Sequence, residues 1–351
     1  MIRFRWLAFG VMSNAVLVAG CSSSTAPTPV PPPVVPDPPK ITCPTPQTVH
    51  LTTTTPSTPV IYGAATAVNG KAPVTTTCTP ASGSMFSIGQ TAVSCTATDA
   101  LQRTDTCTLL VTVVPPPLLA ATSFVAFGDS ITAGESGLDS LNAVPLTLSR
   151  FHPTVLLPSS QWYPTVLQQS LSVRYPTQVV TVSNQGLSGE AVADPGTFSR
   201  FTSLVSSRRY GVVLIMEGTN DLFVHDSLAI PPAIDGLQRM VRESKGQGVR
   251  PYLATIPPMN PDGFRGAAYS WYLVSEFNDR VRELAVSEGV TLVDVHQGFN
   301  NDFTLLGGDG LHPNADGYAR IADLFFTAIK QTLEVPPPLP GPTRAFIGRR
   351  R

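Results

Sequence analysis

Short apolar runs alternate with longer amphipathic stretches in the chain that follows Pro115-Pro116-Pro117. Apolar runs of this length are typical of strands buried on both faces of a parallel sheet, whereas apolar residues three and four positions apart indicate helices. The alternation predicts an α/β domain with a parallel sheet between two helical layers. The expected strands are Phe124–Phe127, Val179–Val182, Val212–Met216, Pro251–Thr255 and Thr291–Val293. The expected helices lie near Gln161–Arg174, Pro232–Lys245, Trp271–Ser287 and Asn314–Thr332.

The preceding stretch, Ile41–Val114, has a different pattern, in which threonines and valines alternate between closely spaced turn signals. Such turn signals stand at Asn69-Gly70, Ser82-Gly83 and Ile88-Gly89. Alternating short strands with regular turns predict a small all-β sandwich. We call residues 41–114 the first module and residues 122–333 the second module.

Proline-rich segments separate these modules from each other and from the two ends of the chain. They predict a division into a leader (1–20), a linker (21–40), the first module (41–114), a second linker (115–121), the second module (122–333) and a basic tail (334–351). Segments so rich in proline, serine and threonine cannot build a core and are expected to be extended spacers.

Composition excludes one class of function. Only 13% of the 351 residues are charged and the formal net charge is −1. A nucleic-acid-binding protein would need a basic stripe to displace the counterions of the phosphate backbone, and the sequence has none. We therefore expect no nucleic-acid partner.

The amino-terminal residues predict export. Arg3 and Arg5 precede the apolar run Trp6–Val18, which is too short to span a bilayer, and Val18-Ala19-Gly20-Cys21 follows. The cysteine resembles that of a bacterial lipobox, which implies lipidation of Cys21 and a lipoprotein held on the cell envelope. The serine after it resembles lipoproteins sent to an outer membrane, provided that the organism has one. An ordinary signal peptide with a chance cysteine is the alternative.

The first module resembles a hyalin-repeat (HYR) domain, which has an immunoglobulin-like fold. The resemblance rests on Ile41-Thr42-Cys43-Pro44, Cys78-Thr79-Pro80, Val93-Ser94-Cys95-Thr96-Ala97-Thr98-Asp99 and Thr106-Cys107. Apart from Cys21, these are the chain's four cysteines, and an even set in an exported chain indicates two disulfides. Four cysteines allow three pairings. We favour Cys43–Cys107, which would tie the first strand to the last, with Cys78–Cys95.

The segment from Phe124 to Thr132 predicts a strand, a turn at Gly128 and a helix that begins near Asp129 and Ser130. Open α/β sheets place ligands at this junction, where free N–H groups favour a developing negative charge. Asp and Ser are also common helix caps, so these nine residues leave capping and nucleophilic catalysis equally open.

A nucleophilic serine needs a base with an orienting carboxylate. Of the histidines in the second module, only His312 has a suitably placed acid, in Asp309-Gly310-Leu311-His312-Pro313. The carboxylate can fold back onto one ring nitrogen while the other faces the serine. The remaining three, His152, His225 and His296, lack this arrangement, and His225 and His296 are expected to be structural or solvated.

Oxyanion donors are expected where two further strands end. The loops Ser183-Asn184-Gln185-Gly186 and Glu217-Gly218-Thr219-Asn220 follow predicted parallel strands, on the edge of the sheet that also holds Ser130. Gly186 would offer a backbone N–H and Asn220 a side-chain amide. Each loop taken alone is more often an ordinary turn.

Together these residues resemble the SGNH, or GDSL-type, esterase/lipase superfamily over about Thr122 to Thr332. The resemblance implies a flavodoxin-like fold of three layers with five parallel strands. It implies Ser130 as nucleophile, Asp309 and His312 as its partners, and an oxyanion hole from the N–H groups of Ser130 and Gly186 with the Asn220 amide. Ile131 stands where many members have leucine. The blocks are Gly128-Asp129-Ser130, Asn184-x-Gly186 with Ser188-Gly189, Gly218-Thr219-Asn220-Asp221 and Asp309-Gly310-Leu311-His312-Pro313-Asn314.

We therefore expect a serine esterase that needs no metal and no cofactor. Its substrate would be an ester on acylated polysaccharide, envelope polymer or lipid, and the first module could contact polysaccharide. The alternative is a non-catalytic surface adhesin that acts through the first module.

Overall fold

The computed structural model describes residues 34–137, 154–224, 227–263, 265 and 270–338. The predicted leader (1–20), the predicted lipidation site Cys21, the histidines His152 and His225, and most of the basic tail lie outside these residues. None of the helices in the described ranges is long and apolar enough to cross a bilayer.

The first module consists of eight strands. β7 and β8 are the two central strands of its main sheet. On β7, Val93, Cys95 and Ala97 face the core and alternate with exposed or half-buried neighbours. The main sheet has the order β2-β8-β7-β5, and β1-β4 and β3-β6 form two small sheets. The strands are β1 Lys40–Thr42, β2 Gln47–His50, β3 Ser57–Pro59, β4 Thr66–Val68, β5 Thr75–Thr79, β6 Met85–Ser87, β7 Gly89–Thr98 and β8 Thr104–Val114.

Two disulfides staple this module, and they have the pairing favoured from the sequence. Cys43 is bonded to Cys107 and Cys78 to Cys95, with Cα–Cα distances of 5.8 and 4.0 Å. Cys95 on β7 lies opposite both Cys78 on β5 and Cys107 on β8. The sulfurs of Cys43, Cys95 and Cys107 lie within 4.8 Å of one another, and each belongs to a disulfide.

The second module is built on a five-stranded parallel sheet with the order β13-β10-β14-β15-β16. This confirms the predicted α/β class. The strands are β10 Ser123–Gly128, β13 Thr181–Gly186, β14 Val212–Met216, β15 Arg250–Ala254 and β16 Thr291–Val293. A small antiparallel pair of strands, β11 Glu135–Gly137 and β12 Thr154–Leu156, follows β10 in the chain.

Helices cover both faces of this sheet. Along β10, Phe124 and Ala126 pack into the core beneath α2 and α7, while Val125 and Phe127 pack beneath α3, α4 and α5. Burial on both faces explains why the central strands are continuously apolar. The helices are α1 Ser130–Ala133, α2 Tyr163–Arg174, α3 Pro195–Ser206, α4 Ile230–Gly246, α5 Val274–Glu288, α6 Val295–Phe299 and α7 Ala315–Leu333.

A short strand pair joins the two ends of the second module. β9 (Leu118–Leu119) pairs antiparallel with β17 (Glu334–Val335), and the side chain of Gln178 bonds to both backbone groups of Leu119. Leu119 is buried in the core shared with α2 and α7. The segment expected to be a linker therefore contributes a core residue to the second module.

Candidate active site

Ser130 is the first residue of α1, directly after β10. Asp129 is the residue that caps this helix, since its Oδ1 accepts the N–H of Ile131 at 2.8 Å. The cap is thus supplied by Asp129, and the hydroxyl of Ser130 makes a different contact. Gly128 is required by close packing, because a Cβ there would lie 2.5 Å from the carbonyl oxygen of Met216. The Gly-Asp-Ser block therefore folds as a tight strand-to-helix turn.

The structure brings Ser130, His312 and Asp309 together. Oγ of Ser130 lies 2.9 Å from Nε2 of His312, and Nδ1 of His312 lies 2.5 Å from Oδ2 of Asp309. All three residues are at most 5% exposed. Ser130 and His312 are 182 positions apart in the sequence. A hydroxyl, an imidazole and a carboxylate in this order form the chain of contacts that activates a serine nucleophile.

The turn that carries His312 is fixed by its own backbone. Oδ1 of Asp309 accepts the N–H groups of both Leu311 and His312 at 3.0 Å, and Gly310 adopts a φ of +74°. The N–H of Gly307 donates to the carbonyl of His312 at 2.7 Å. The acid and the imidazole are therefore held in one rigid loop.

The pKa values of Asp309 and Asp129 are shifted in opposite directions. Burial alone would raise the pKa of Asp309, but the hydrogen bond and charge of His312, with two backbone N–H groups, hold it below its usual value. Burial raises the pKa of Asp129 to about 6. The carboxylate beside the imidazole is thus the one that stays ionised most readily, as its orienting role requires.

A third carboxyl group lies beneath the site. Glu217 follows β14 and is fully buried. Burial, followed by the negative charges of Asp129 and Glu190, raises the pKa of Glu217 well above its usual value. This side chain therefore favours the neutral form over a wide pH range.

The N–H of Gly186, predicted as an oxyanion donor, has another partner in this structure. It donates to Oδ1 of Asn184 at 2.9 Å. Gly186 also packs closely on α1, because a Cβ there would lie 2.1 Å from the backbone nitrogen of Ala133. The glycine is thus explained by packing, and its oxyanion role stays a prediction.

Asn220 lies at the end of the loop that follows β14, and its side chain reaches the loop that follows β13. Its Nδ2 donates to the carbonyl oxygen of Glu190 at 2.8 Å. This hydrogen bond fixes the plane of the amide and hence the direction of its second N–H. Its role as an oxyanion donor also stays a prediction.

Gly189 is a further candidate oxyanion donor, and the sequence alone predicted no role for it. The N–H of Glu190 donates to the carbonyl of Leu187 at 3.2 Å, and Gly189, the third residue of this turn, has a φ of +77°. A positive φ at that position is the signature of a type II turn. Gly189 is exposed, and within the described residues its N–H has no hydrogen-bond acceptor. The Ser188-Gly189 pair after the strand was the available signal.

His296 lies apart from this constellation. It is on α6, its backbone N–H donates to the hydroxyl of Thr255 at 2.9 Å, and its side chain is half-buried. Burial, followed by the charge of Arg282, lowers its pKa. His296, for which the sequence predicts a structural or solvated position, thus makes structural contacts.

Two family models match the chain. Residues 126–320 match the GDSL-like lipase/acylhydrolase family, and residues 36–113 match the HYR domain. A comparison with curated proteins found no match.

Solved structures resemble the second module over 60% of this chain. An α/β hydrolase, LAE5, from the metagenome of Lake Arreo is 26% identical, with 96% of it covered and a TM-score of 0.45. A lipase/acylhydrolase from Enterococcus faecalis is 22% identical, with 97% covered and a TM-score of 0.46. Est24, a carbohydrate acetylesterase from Sinorhizobium meliloti, is 20% identical, with 99% covered and a TM-score of 0.47.

Proposed function

The chain belongs to the GDSL-like lipase/acylhydrolase family and is a carboxylic ester hydrolase, and we propose that it acts by acyl transfer through Ser130, His312 and Asp309. One observation carries this proposal. Ser130 and His312, 182 positions apart, meet at 2.9 Å in a buried site, with Asp309 on the other nitrogen of the imidazole.

In the first step His312 Nε2 takes the proton of Ser130 as Oγ bonds to the ester carbonyl carbon. The carbonyl electron pair moves to its oxygen and gives a tetrahedral oxyanion. When the oxyanion collapses, the bond to the alcohol breaks and His312 returns the proton to the departing oxygen. An acyl group then remains on Ser130.

In the second step water takes the place of the alcohol. His312 accepts a proton from water, the hydroxyl attacks the acyl carbon, and the free acid leaves as Ser130 regains its proton. Asp309 keeps the imidazole in one tautomer and stabilises it when it is charged. The net reaction consumes one ester and one water and yields one acid and one alcohol.

The oxyanion is proposed to be stabilised by donors from three loops. They are the N–H of Ser130, the amide of Asn220, and a backbone N–H from the loop after β13. The contacts of that loop support Gly189 over Gly186 as the third donor, because the Gly186 N–H already donates to Asn184. Preorganised donors of this kind supply a large share of catalysis in acyl transfer.

The substrate class that we propose is the acyl ester of an envelope or extracellular polysaccharide, with lipid esters as the competing class. The family match supports ester hydrolysis. Est24, similar in fold, is named a carbohydrate acetylesterase. Contact of the HYR domain with polysaccharide stays a prediction.

The test compares the full chain in mild detergent with its Ser130→Ala variant. Both would be assayed on p-nitrophenyl esters of increasing acyl length and on acetylated polysaccharide, with Ser136→Ala as a nearby serine control. Hydrolysis by wild type and by the control, but not by Ser130→Ala, is the expected result. Equal rates for wild type and Ser130→Ala would refute the proposed nucleophile.

We also propose that Cys21 is lipidated and holds the enzyme on an envelope membrane. Several acyl chains on one residue give stable anchoring where a single chain gives only marginal binding. The wild-type chain and a Ser22→Ala control are expected in the detergent phase of a two-phase partition, and Cys21→Ser in the aqueous phase. Wild type in the aqueous phase would favour an ordinary signal peptide.

A further inference from the structure

A single arginine contacts both the end of β13 and the end of the loop that follows it. We call residues 185–190, the last two residues of β13 and this loop, the donor loop. Nη1 of Arg200 donates to the carbonyl oxygen of Gln185 at 2.9 Å, and Nε donates to Oε1 of Glu190 at 2.9 Å. Nη2 of Arg200 donates to the second carboxylate oxygen of Glu190. The Glu190 side chain is 4% exposed and that of Arg200 is 28% exposed, so the carboxylate of this bidentate pair is shielded from water while part of the arginine is not.

The same guanidinium rests on the strand that carries the nucleophile. Its Cζ lies 3.9 Å from the ring centroid of Phe127, which precedes Gly128, Asp129 and Ser130 on β10. The Phe127 ring is in turn held edge-to-face by Phe201 of α3, at a centroid distance of 4.9 Å. Arg200 therefore connects the donor loop to the strand that presents Ser130.

Glu190 is the point at which this connection reaches the oxyanion donors. Its carbonyl accepts Nδ2 of Asn220 at 2.8 Å, and its N–H closes the turn that contains Gly189. If the Glu190 carboxylate were released, both backbone contacts could shift together. The direction of the Asn220 amide and the orientation of the Gly189 N–H depend on the same residue.

We propose that Arg200 is a positioning residue that holds the donor loop so that its N–H groups and the Asn220 amide point at the oxyanion. The inference rests on the acyl-transfer mechanism proposed above. Arginine suits the role because its planar fork can contact a carboxylate at two points and a carbonyl at a third while its face lies on an aromatic ring. A lysine ammonium is a point charge and cannot reproduce this set.

Loss of a positioning residue should lower kcat and leave KM nearly unchanged. Small misplacement of a catalytic group can cost about 10²-fold in rate, so Arg200→Gln should lower kcat about 10- to 100-fold on p-nitrophenyl acetate while KM changes little. Affinity for a boronic acid, which forms a tetrahedral adduct, should fall by a similar factor. Arg200→Lys should recover only part of the loss. Arg242→Gln removes an equal charge from a more exposed ion pair with Glu288 and should change nothing.

A double variant at Arg200 and Asn220 distinguishes a positioning role of Arg200 from general stabilisation of the fold. Asn220→Ala alone should lower turnover on the order of 10²–10³-fold. Because part of the effect of Arg200 passes through the amide that this variant lacks, Arg200→Gln combined with Asn220→Ala should lose clearly less than the product of the two single losses. A structural role would instead multiply the two losses.

The decisive experiment measures these variants in the full chain, with thermal unfolding recorded for each. Normal kcat and normal boronic acid affinity in Arg200→Gln, or multiplying losses in the double variant, would overturn the proposal. If Arg200→Gln does not fold, Arg200→Lys and Glu190→Gln carry the same test. Failure of the acyl-transfer mechanism would show differently, as equal activity of wild type and Ser130→Ala.

Discussion

Nδ1 of His312 lies 2.5 Å from Oδ2 of Asp309, three residues earlier in the same turn. The other oxygen of Asp309 accepts two backbone N–H groups of this turn. The orientation of the imidazole is therefore fixed locally, and only the approach of Ser130 depends on the distant β10. The turn itself therefore holds the carboxylate and the imidazole together.

Removing the charge of Asp309 should impair catalysis more than folding. Asp309→Asn keeps the shape of the side chain but no longer favours the tautomer that leaves Nε2 free. We expect kcat to fall on the order of 10⁴-fold, the loss seen when the orienting carboxylate of a serine triad is replaced by an amide. Steady-state hydrolysis of p-nitrophenyl acetate measures it. Asp323→Asn, an exposed change on α7, is the control, and an unaltered kcat in Asp309→Asn would contradict the assignment.

Activity should decline in acid because a protonated His312 cannot accept the proton of Ser130. The lowered pKa of Asp309 keeps that carboxylate ionised in the same range, so its protonation should not add to the loss. The predicted profile of log kcat/KM against pH falls on the acid side, where Asp129, with a pKa raised to about 6, also takes up a proton beside the site. A flat profile from mildly acid to neutral pH would count against His312 as the base.

Glu217 should make the fold less stable as the pH rises. Its pKa is raised in the folded state, so the stabilisation that comes from its neutral form is complete below its usual pKa of 4.5 and is lost as pH rises through the folded value. Glu217→Gln removes this titration. In urea unfolding, the free energy of unfolding of the variant should rise relative to that of wild type by up to about 1.4 kcal/mol per pH unit. This rise should occur between pH 4.5 and the folded-state pKa of Glu217. Parallel stability curves for the two proteins would show that Glu217 does not titrate in this way.

The two disulfides should stabilise the HYR domain to different extents. The bonded cysteines are 64 and 17 positions apart, so loop-closure entropy predicts losses of about 4 kcal/mol for Cys43→Ser with Cys107→Ser and about 3 kcal/mol for Cys78→Ser with Cys95→Ser. Calorimetry of the full chain measures the shift. Ester hydrolysis should persist in both variants, and its loss would show that the esterase domain depends on the HYR domain.

The strands that the sequence predicts best are short apolar runs, both the fully buried central strand β14 and the half-buried edge strand β16. The structure places β14 and β16 at the predicted bounds, and β10 differs by one residue at each end. The edge strand β13 is shifted to Thr181–Gly186, because its polar residues pair in register with β10 while Val179 remains 85% exposed. α3 was not predicted, because its first turn contains Pro195 and Gly196 and its polar face is rich in serine.

The candidate site also contains residues that the sequence predicts and residues that it does not. Ser130, Asp309 and His312 stand in compact blocks whose local turns are visible in the sequence, and the structure brings them together. The contacts of Gly186, Asn220 and the donor loop depend on where separate loops meet, which no local pattern specifies. Arg200 illustrates this limit, since it lies in the unpredicted helix and its partners Gln185 and Glu190 are fixed only by the tertiary fold.

Covalent labelling tests the central assignment most directly. An alkyl fluorophosphonate forms a P–O bond to an activated serine and releases fluoride, and peptide mass spectrometry of the full chain then locates the adduct. We expect one label, on Ser130, that appears in step with loss of ester hydrolysis and is absent from Ser130→Ala and strongly slowed in His312→Ala. A label on another residue, or continued hydrolysis with Ser130 fully labelled, would contradict it.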